Sequence, residues 1–129
     1  MNTRSFGPQE VVTVRETVRA EAVEAGLSGH RLDEFVLAVH EVITNAVQHG
    51  GGQGKVSLWR DGSMLWCEVA DRGPGIPVDR WRVLDPPPFA QPGGRGIWLA
   101  RRLSDSIHMR NGPRGTTVKL AVLLRDRRK

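Results

Sequence analysis

The apolar residues of this chain change their repeat near residue 50, and that change limits the fold more than any other feature. Before it they recur every three or four positions. Val11, Val14, Val18, Ala22 and Ala25 share one side of a stretch from Gln9 to Ala25 with Glu and Arg between them, and Gly26 stops it. Leu32, Phe35, Val36, Val39, Val42, Ile43, Ala46 and Val47 do the same from Arg31 to Gln48, where Gly50-Gly51-Gly52 ends the run. Such spacing gathers residues on one face of a helix, so two amphipathic helices are expected. Beyond the change the repeat is two. Lys55 to Arg60 and Ser63 to Ala70 alternate about Asp61-Gly62, a two-residue hairpin signal. Counting outward from that turn pairs Leu58 with Leu65 and Val56 with Cys67 on one apolar face. Trp59, Met64 and Trp66 fall on the other, as a surface for a second copy or a partner. Cys67 reads as a small buried hydrophobe.

Residues 71–95 hold six of the eight prolines. Their latter part, Asp85-Pro86-Pro87-Pro88-Phe89-Ala90-Gln91-Pro92-Gly93-Gly94, is incompatible with a regular helix or a central strand. A structureless stretch of this length in a small domain is a functional lid or a disordered segment. A third helix is expected from Gly96, carrying Ile97, Leu99, Ala100 and Leu103. Two strands near 106–110 and 116–124 follow, joined by Asn111-Gly112-Pro113-Arg114-Gly115. No internal repeat or linker divides residues 1–129, which read as a single domain. The order of elements gives an α+β fold, a helical layer on a mostly antiparallel sheet.

Composition removes several classes. A chain of 129 residues buries roughly two-thirds of its unfolded surface, enough for one core. Its single Cys forms neither an internal disulfide nor a multi-thiolate zinc site. No apolar run approaches the ~20 residues of a bilayer span, and the start, MNTRSFGPQE, lacks a signal peptide's apolar core. A cytoplasmic address without a membrane partner is expected. Nineteen Lys and Arg against 14 Asp and Glu leave a net charge of +5, which suits a nucleic acid, a nucleotide or an acidic protein face. The nucleic-acid reading rests on charge without a recognition motif, so no direct nucleic-acid partner is expected.

Four polar groupings remain. Glu41 and Asn45 lie four apart on the second helix, so they share a face one turn apart. A carboxylate beside an amide can hold a divalent cation or accept a proton; taken alone, the pair also reads as part of a solvated face. Flanking His40 and His49, nine apart, match no simple metal motif and read as packing or surface residues. Asp71-Arg72-Gly73-Pro74-Gly75-Ile76 follows a predicted strand; its Asp can accept from the amine of a base, and glycines permit close approach of a ring. A tight turn explains the same residues. Gly93-Gly94-Arg95-Gly96 precedes the helix opening at Ile97, where free N–H groups and Arg95 favour an anion. The lysine and Ser/Thr of the Walker P-loop are missing. Last, Gly115-Thr116-Thr117-Val118 opens the final strand with a hydroxyl near the sheet end.

In this order the four groupings, with the proline-rich lid between the second and third, resemble the GHKL ATPase superfamily, whose Bergerat fold is a two-layer sandwich of helices on one face of a mostly antiparallel mixed sheet. The resemblance spans Arg31 to Leu124. Within the superfamily, Glu41-Val-Ile-Thr-Asn45-Ala-Val-Gln-His49-Gly50 and the small size are similar to the anti-sigma-factor serine/threonine kinases. It implies that Glu41 is the general base toward a substrate serine and that Asn45 holds Mg²⁺ against the phosphates of ATP. It implies an adenine site of Asp71 with Gly73, Gly75, Ile76 and Thr116, and closure of Gly94, Arg95, Gly96 and Ile97 over the phosphates. Arg15 on the first helix would face protein partners. The implied function is partner switching: phosphorylating an anti-anti-sigma (STAS-type) protein on Ser and sequestering a sigma factor, as a homodimer. The alternative is a catalytically weak, nucleotide-gated binding module. Two departures bear on these implications. Only Met1–Pro8 is available for the strand that such kinases place before the first helix, so that edge is expected to be lost or replaced. Pro86-Pro87-Pro88 occupies a region where relatives often carry polar or basic residues, leaving lid contacts with phosphate to Arg95 alone.

Overall fold

The first helix begins with a tighter turn than its periodicity suggests. Pro8 lacks an N–H and fixes the backbone of a 3₁₀ turn, Pro8–Glu10, and the Glu10 carboxylate accepts the Gly7 N–H at 2.7 Å. Helix α1 therefore runs Val11–Ala25. It ends at Gly26, where the Leu27 N–H donates to Ala22 O at 3.0 Å and the Leu27 side chain is buried. Helix α2 follows as Gly29–His49. The computed structural model describes residues 2–49, 51–73, 94–112 and 114–124. Around the two helices stand β1 (Asn2–Phe6), β2 (Gly54–Asp61), β3 (Met64–Asp71), α3 (Gly94–Leu103), β4 (Ser106–Gly112) and β5 (Gly115–Leu123).

The strands form one sheet in the order β1-β2-β3-β5-β4, and every pairing among the described residues is antiparallel. The edge expected to be lost or replaced is present. Strand β1 pairs with β2 from Asn2↔Leu58 to Phe6↔Gly54. Five residues suffice because Phe6 is buried and its ring occupies the space that a side chain at Gly54 would need; a Cβ there would lie 2.8 Å from Phe6 Cζ.

The hairpin register corrects the sequence reading. Leu58 pairs with Cys67, Arg60 with Leu65 and Asp61 with Met64, so the turn is Gly62-Ser63. Gly62 has φ +62° and no non-glycine residue among the described residues has positive φ, which is the requirement of a type II′ turn with glycine first. A type I′ turn at Asp61-Gly62 would have forced Asp61 into the left-handed region. Because each partner is displaced by two residues, the faces are as expected: Val56, Leu58, Leu65 and Cys67 are buried on one side.

The three helices among the described residues lie on that inner face. Helix α2 is central, with α1 and α3 against it and β2, β3 and β5 beneath it. Phe35 and Ile43 on α2 have no exposed surface, and each contributes about 1.5–3 kcal/mol through burial. Cys67 is fully buried, and burial pushes its thiol far above the usual range, which fits an inert packing residue. No helix among the described residues is long and apolar enough to cross a membrane. On the outer face the Trp59 and Trp66 rings stack at 6.2 Å, and Trp66 stacks on His108 at 6.5 Å. Ala121, which pairs with Trp66, is buried yet stands outside the helix-side core.

Candidate functional site

One row of paired residues crosses the whole sheet at one end: Phe6, Gly54, Asp71, Thr116 and Asn111. Two of the expected site residues, Asp71 and Thr116, lie in this row. Helix α2 reaches the same end, because the connection from His49 to Gly54 is short and Gly54 pairs with Asp71. The loop after α2 also touches the turn after β3; a Cβ on Gly51 would sit 3.9 Å from Gly73 Cα. Helix α3 starts at this end too, since Asp105, just past its last turn, bonds Ala121 O near the opposite end of β5. The N-terminal N–H groups of α3 therefore face the site end.

Asp71 is the best-defined member. Its Oδ1 accepts the Gly73 N–H at 2.8 Å and the Thr116 N–H at 3.3 Å. Burial raises its pKa above the ordinary carboxylate value, and the two backbone donors offset part of that rise. Those two bonds fix the carboxyl group and leave Oδ2 to meet a donor from a ligand. Gly115 makes this possible: at φ +149°, a Cβ there would come within 2.1 Å of Asp71 O. Neither this spacing role nor the donation from the Thr116 backbone was visible in the sequence; a glycine directly before Thr116 was the only trace. Thr116 itself is buried.

On α2, Asn45 is 6% exposed although it carries a polar amide, and Glu41 one turn earlier is half-buried. Among the described residues Asn45 makes no hydrogen bond and Glu41 no ion pair. The Asn45 amide nitrogen and oxygen are not among the buried polar atoms left without a partner, so the amide keeps contact with solvent, the side from which a cation with its own water and phosphate ligands would approach. No cluster of three or more His, Cys, Asp or Glu that could hold a metal ion occurs among the described residues.

Gly94, Arg95, Gly96 and Ile97 form the first turn of α3, so this helix starts two residues before the expected Gly96. The side chains of Arg95 and Ile97, and all of Gly75, Ile76 and Pro86-Pro87-Pro88, lie outside the described residues. A cavity of about 660 Å³ opens on the β1–β2 side of Asp71, bounded by Phe6, Glu10, Gln53, Lys55 and Arg72. Glu41, Asn45 and Thr116 are not in its walls. It adjoins the site through Asp71 without containing the pair on α2. Arg15 stands apart, in a groove of about 390 Å³ between α1 and α2 shared with Arg19, Asp33, Leu37 and His40. The His40 Nδ1 is buried and has no hydrogen-bond partner among the described residues.

Known proteins resemble this chain in sequence and in fold. The histidine kinase-like ATPase domain family matches residues 5–122. The serine-protein kinase RsbW of Bacillus licheniformis is 31% identical over 135 residues, covering 94% of this chain and 83% of that protein. The anti-sigma F factor of the same species is 30% identical over 115 residues, covering 82% and 79%. Among solved structures, the RsbU and RsbW domains of a Mycobacterium tuberculosis protein superpose with TM-score 0.68 at 22% identity, over 95% of this chain and 32% of that one. The histidine kinase AdeS of Acinetobacter baumannii superposes at 0.58 with 15% identity, over 98% and 69%. At those identities the structures speak for the α+β fold, while the family match and the RsbW relative cover nearly the whole chain: it belongs to the histidine kinase-like ATPase domain family.

Proposed function

We propose that this chain is an ATP-dependent serine/threonine protein kinase of the anti-sigma type, acting in the cytoplasm by partner switching. It transfers the γ-phosphoryl group of ATP to a serine of an anti-anti-sigma (STAS-type) protein and holds a sigma factor while ATP is bound. The observation that supports this most is the 31% identity to the serine-protein kinase RsbW across 94% of this chain, with Asp71 and Thr116 paired at one end of the sheet.

Asp71 accepts from the exocyclic amine of adenine through the oxygen its backbone bonds leave available. Asn45 would hold Mg²⁺ through its amide oxygen, and that ion when bound would supply charge neutralisation for the phosphates. The N–H groups of the first turn of α3, with Arg95, meet the phosphate charge. Glu41 takes the proton from the serine hydroxyl as its oxygen bonds phosphorus and the bond to the β-phosphate oxygen breaks, releasing ADP. Arg15 and the α1–α2 groove face the protein partners. A homodimer forms through the outer sheet face.

Glu41→Ala should abolish phosphate transfer to the serine protein while leaving the nucleotide dissociation constant within about threefold. Asn45→Ala should weaken nucleotide binding with Mg²⁺ present and change it little in EDTA. Radiolabelled ATP with the purified partner, and calorimetry with and without Mg²⁺, read both. Transfer retained by Glu41→Ala refutes the base assignment. Tight nucleotide binding by the native chain without any transfer selects the nucleotide-gated binding module instead.

A further inference from the structure

The charge of the chain is divided by position. The last 36 residues hold ten Lys and Arg against two Asp and Glu, whereas the first 93 hold nine against twelve. Of the basic residues in this last part, the fold places Arg110 and Arg114 at one edge, since β4 is the terminal strand of the described sheet on that side. His108 and Arg110 of β4 alternate on its outer face and are exposed, and Arg114 extends the patch at the hairpin turn. Arg110 and Arg114 form no ion pair among the described residues. Asp105, the one carboxylate among the described residues of this segment, already accepts the Leu123 N–H at 2.8 Å.

The inner side of the same edge is incompletely covered. Ile107 and Met109 of β4 pack on the core yet stay half-exposed, as do Leu103 and Leu124 beside them. Among the described residues no strand pairs with the outer edge of β4, so its backbone presents alternating N–H and C=O groups. Positive charge on such an edge disfavours pairing with the same edge of a second copy. It attracts a segment of opposite charge.

We propose that β4 accepts, as a sixth strand, an extended protein segment in which apolar and acidic residues alternate. The period of two puts one set over Ile107 and Met109 and the other beside His108 and Arg110. A peptide backbone satisfies both the donors and the acceptors of the edge. A DNA phosphodiester backbone only accepts, and would leave the carbonyl groups of β4 unpaired.

The test uses the full chain and a fluorescent octapeptide alternating Val and Glu, followed by anisotropy and by amide NMR shifts. Saturable binding with shifts concentrated in Ser106–Gly112 is expected. The same peptide N-methylated at every second residue keeps its side chains but cannot pair, and should bind about tenfold more weakly. Arg110→Glu should weaken the unmodified peptide by a similar factor. The proposal is overturned if the octapeptide does not bind, if N-methylation has no effect, or if a Val/Lys octapeptide binds as well. It is equally overturned if oligothymidylate binds more tightly at the same edge, or if Arg110→Glu dissolves an association between copies of the chain.

Discussion

Asp71 is held between opposing influences. Burial favours its neutral form, while the Gly73 and Thr116 N–H groups favour the anion, and the net effect is a raised pKa. A carboxyl group whose pKa rises on folding binds its proton more tightly in the folded state. Its contribution to stability is greatest below the unfolded value and is lost as pH rises through the folded one. Asp71→Asn keeps an oxygen for the two backbone donors and removes the charge. Its melting temperature at pH 7 should therefore equal or exceed that of the native chain. The difference should shrink as the pH is lowered toward the ordinary Asp value of 3.8. The variant should also lose about 10- to 100-fold in ATP affinity, because the amide NH₂ cannot accept from the adenine amine. Thermal melts from pH 4 to 7 and nucleotide titration test the two halves separately. A native chain more stable than the variant at pH 7 would contradict the first. This residue's chemistry was legible from its place at a strand end before two glycines, but its balance of burial and backbone bonds depends on Thr116, 45 positions away.

Between elements, the end of the sheet remote from the site is held by a small polar clamp. The Arg31 guanidinium near the start of α2 donates to Leu123 O and lies 3.8 Å from Asp105, while Asp105 also accepts the Leu123 N–H. One side chain thus ties α2, the α3–β4 connection and the end of β5. Asp105 is exposed, so the ion pair adds little and the backbone hydrogen bond carries most of the effect. Asp105→Ala should cost about 1 kcal/mol in urea unfolding, with the slope unchanged. Asp105→Asn, which keeps an acceptor, should recover most of it. The elements themselves were largely readable: the stripe on α2 and the alternation in β5 each obey one period, and tertiary packing follows the same pattern. Register was not. It depended on whether Asp61 or Gly62 occupies the first turn position, a backbone question that alternation does not address, because a two-residue slip preserves both faces. Strand β1 escaped for a related reason. Asn2–Phe6 has one large apolar residue, and Phe6 matters only because Gly54 leaves room for its ring.

For the whole molecule, the described helices lie on one side of the sheet. The other side carries half-buried Trp59, Met64 and Trp66, and a contiguous apolar patch on a sheet is a common mark of an interface. The rings are ordered before any partner arrives: Trp66 stacks between Trp59 and His108, with Lys119 Nζ 5.1 Å from its centroid. Preordering lowers the side-chain entropy lost on association. The charges around the patch are mixed, since Glu68 pairs across from Lys119. The face is thus compatible with a second copy of itself, unlike the uniformly basic β4 edge. A dimer through this face leaves the site end of each sheet and the β4 edge available, so partner exchange and strand addition can operate on it independently. Trp59→Arg puts a charge into the patch without touching the inner core. It should raise the dimer dissociation constant at least about tenfold in sedimentation velocity, the scale of one lost aromatic contact. ATP affinity and far-ultraviolet dichroism should stay unchanged. Arg110→Glu, on the edge, should leave the dimer intact. A dimer that survives Trp59→Arg and dissociates with Arg110→Glu would move the interface from the sheet face to its edge.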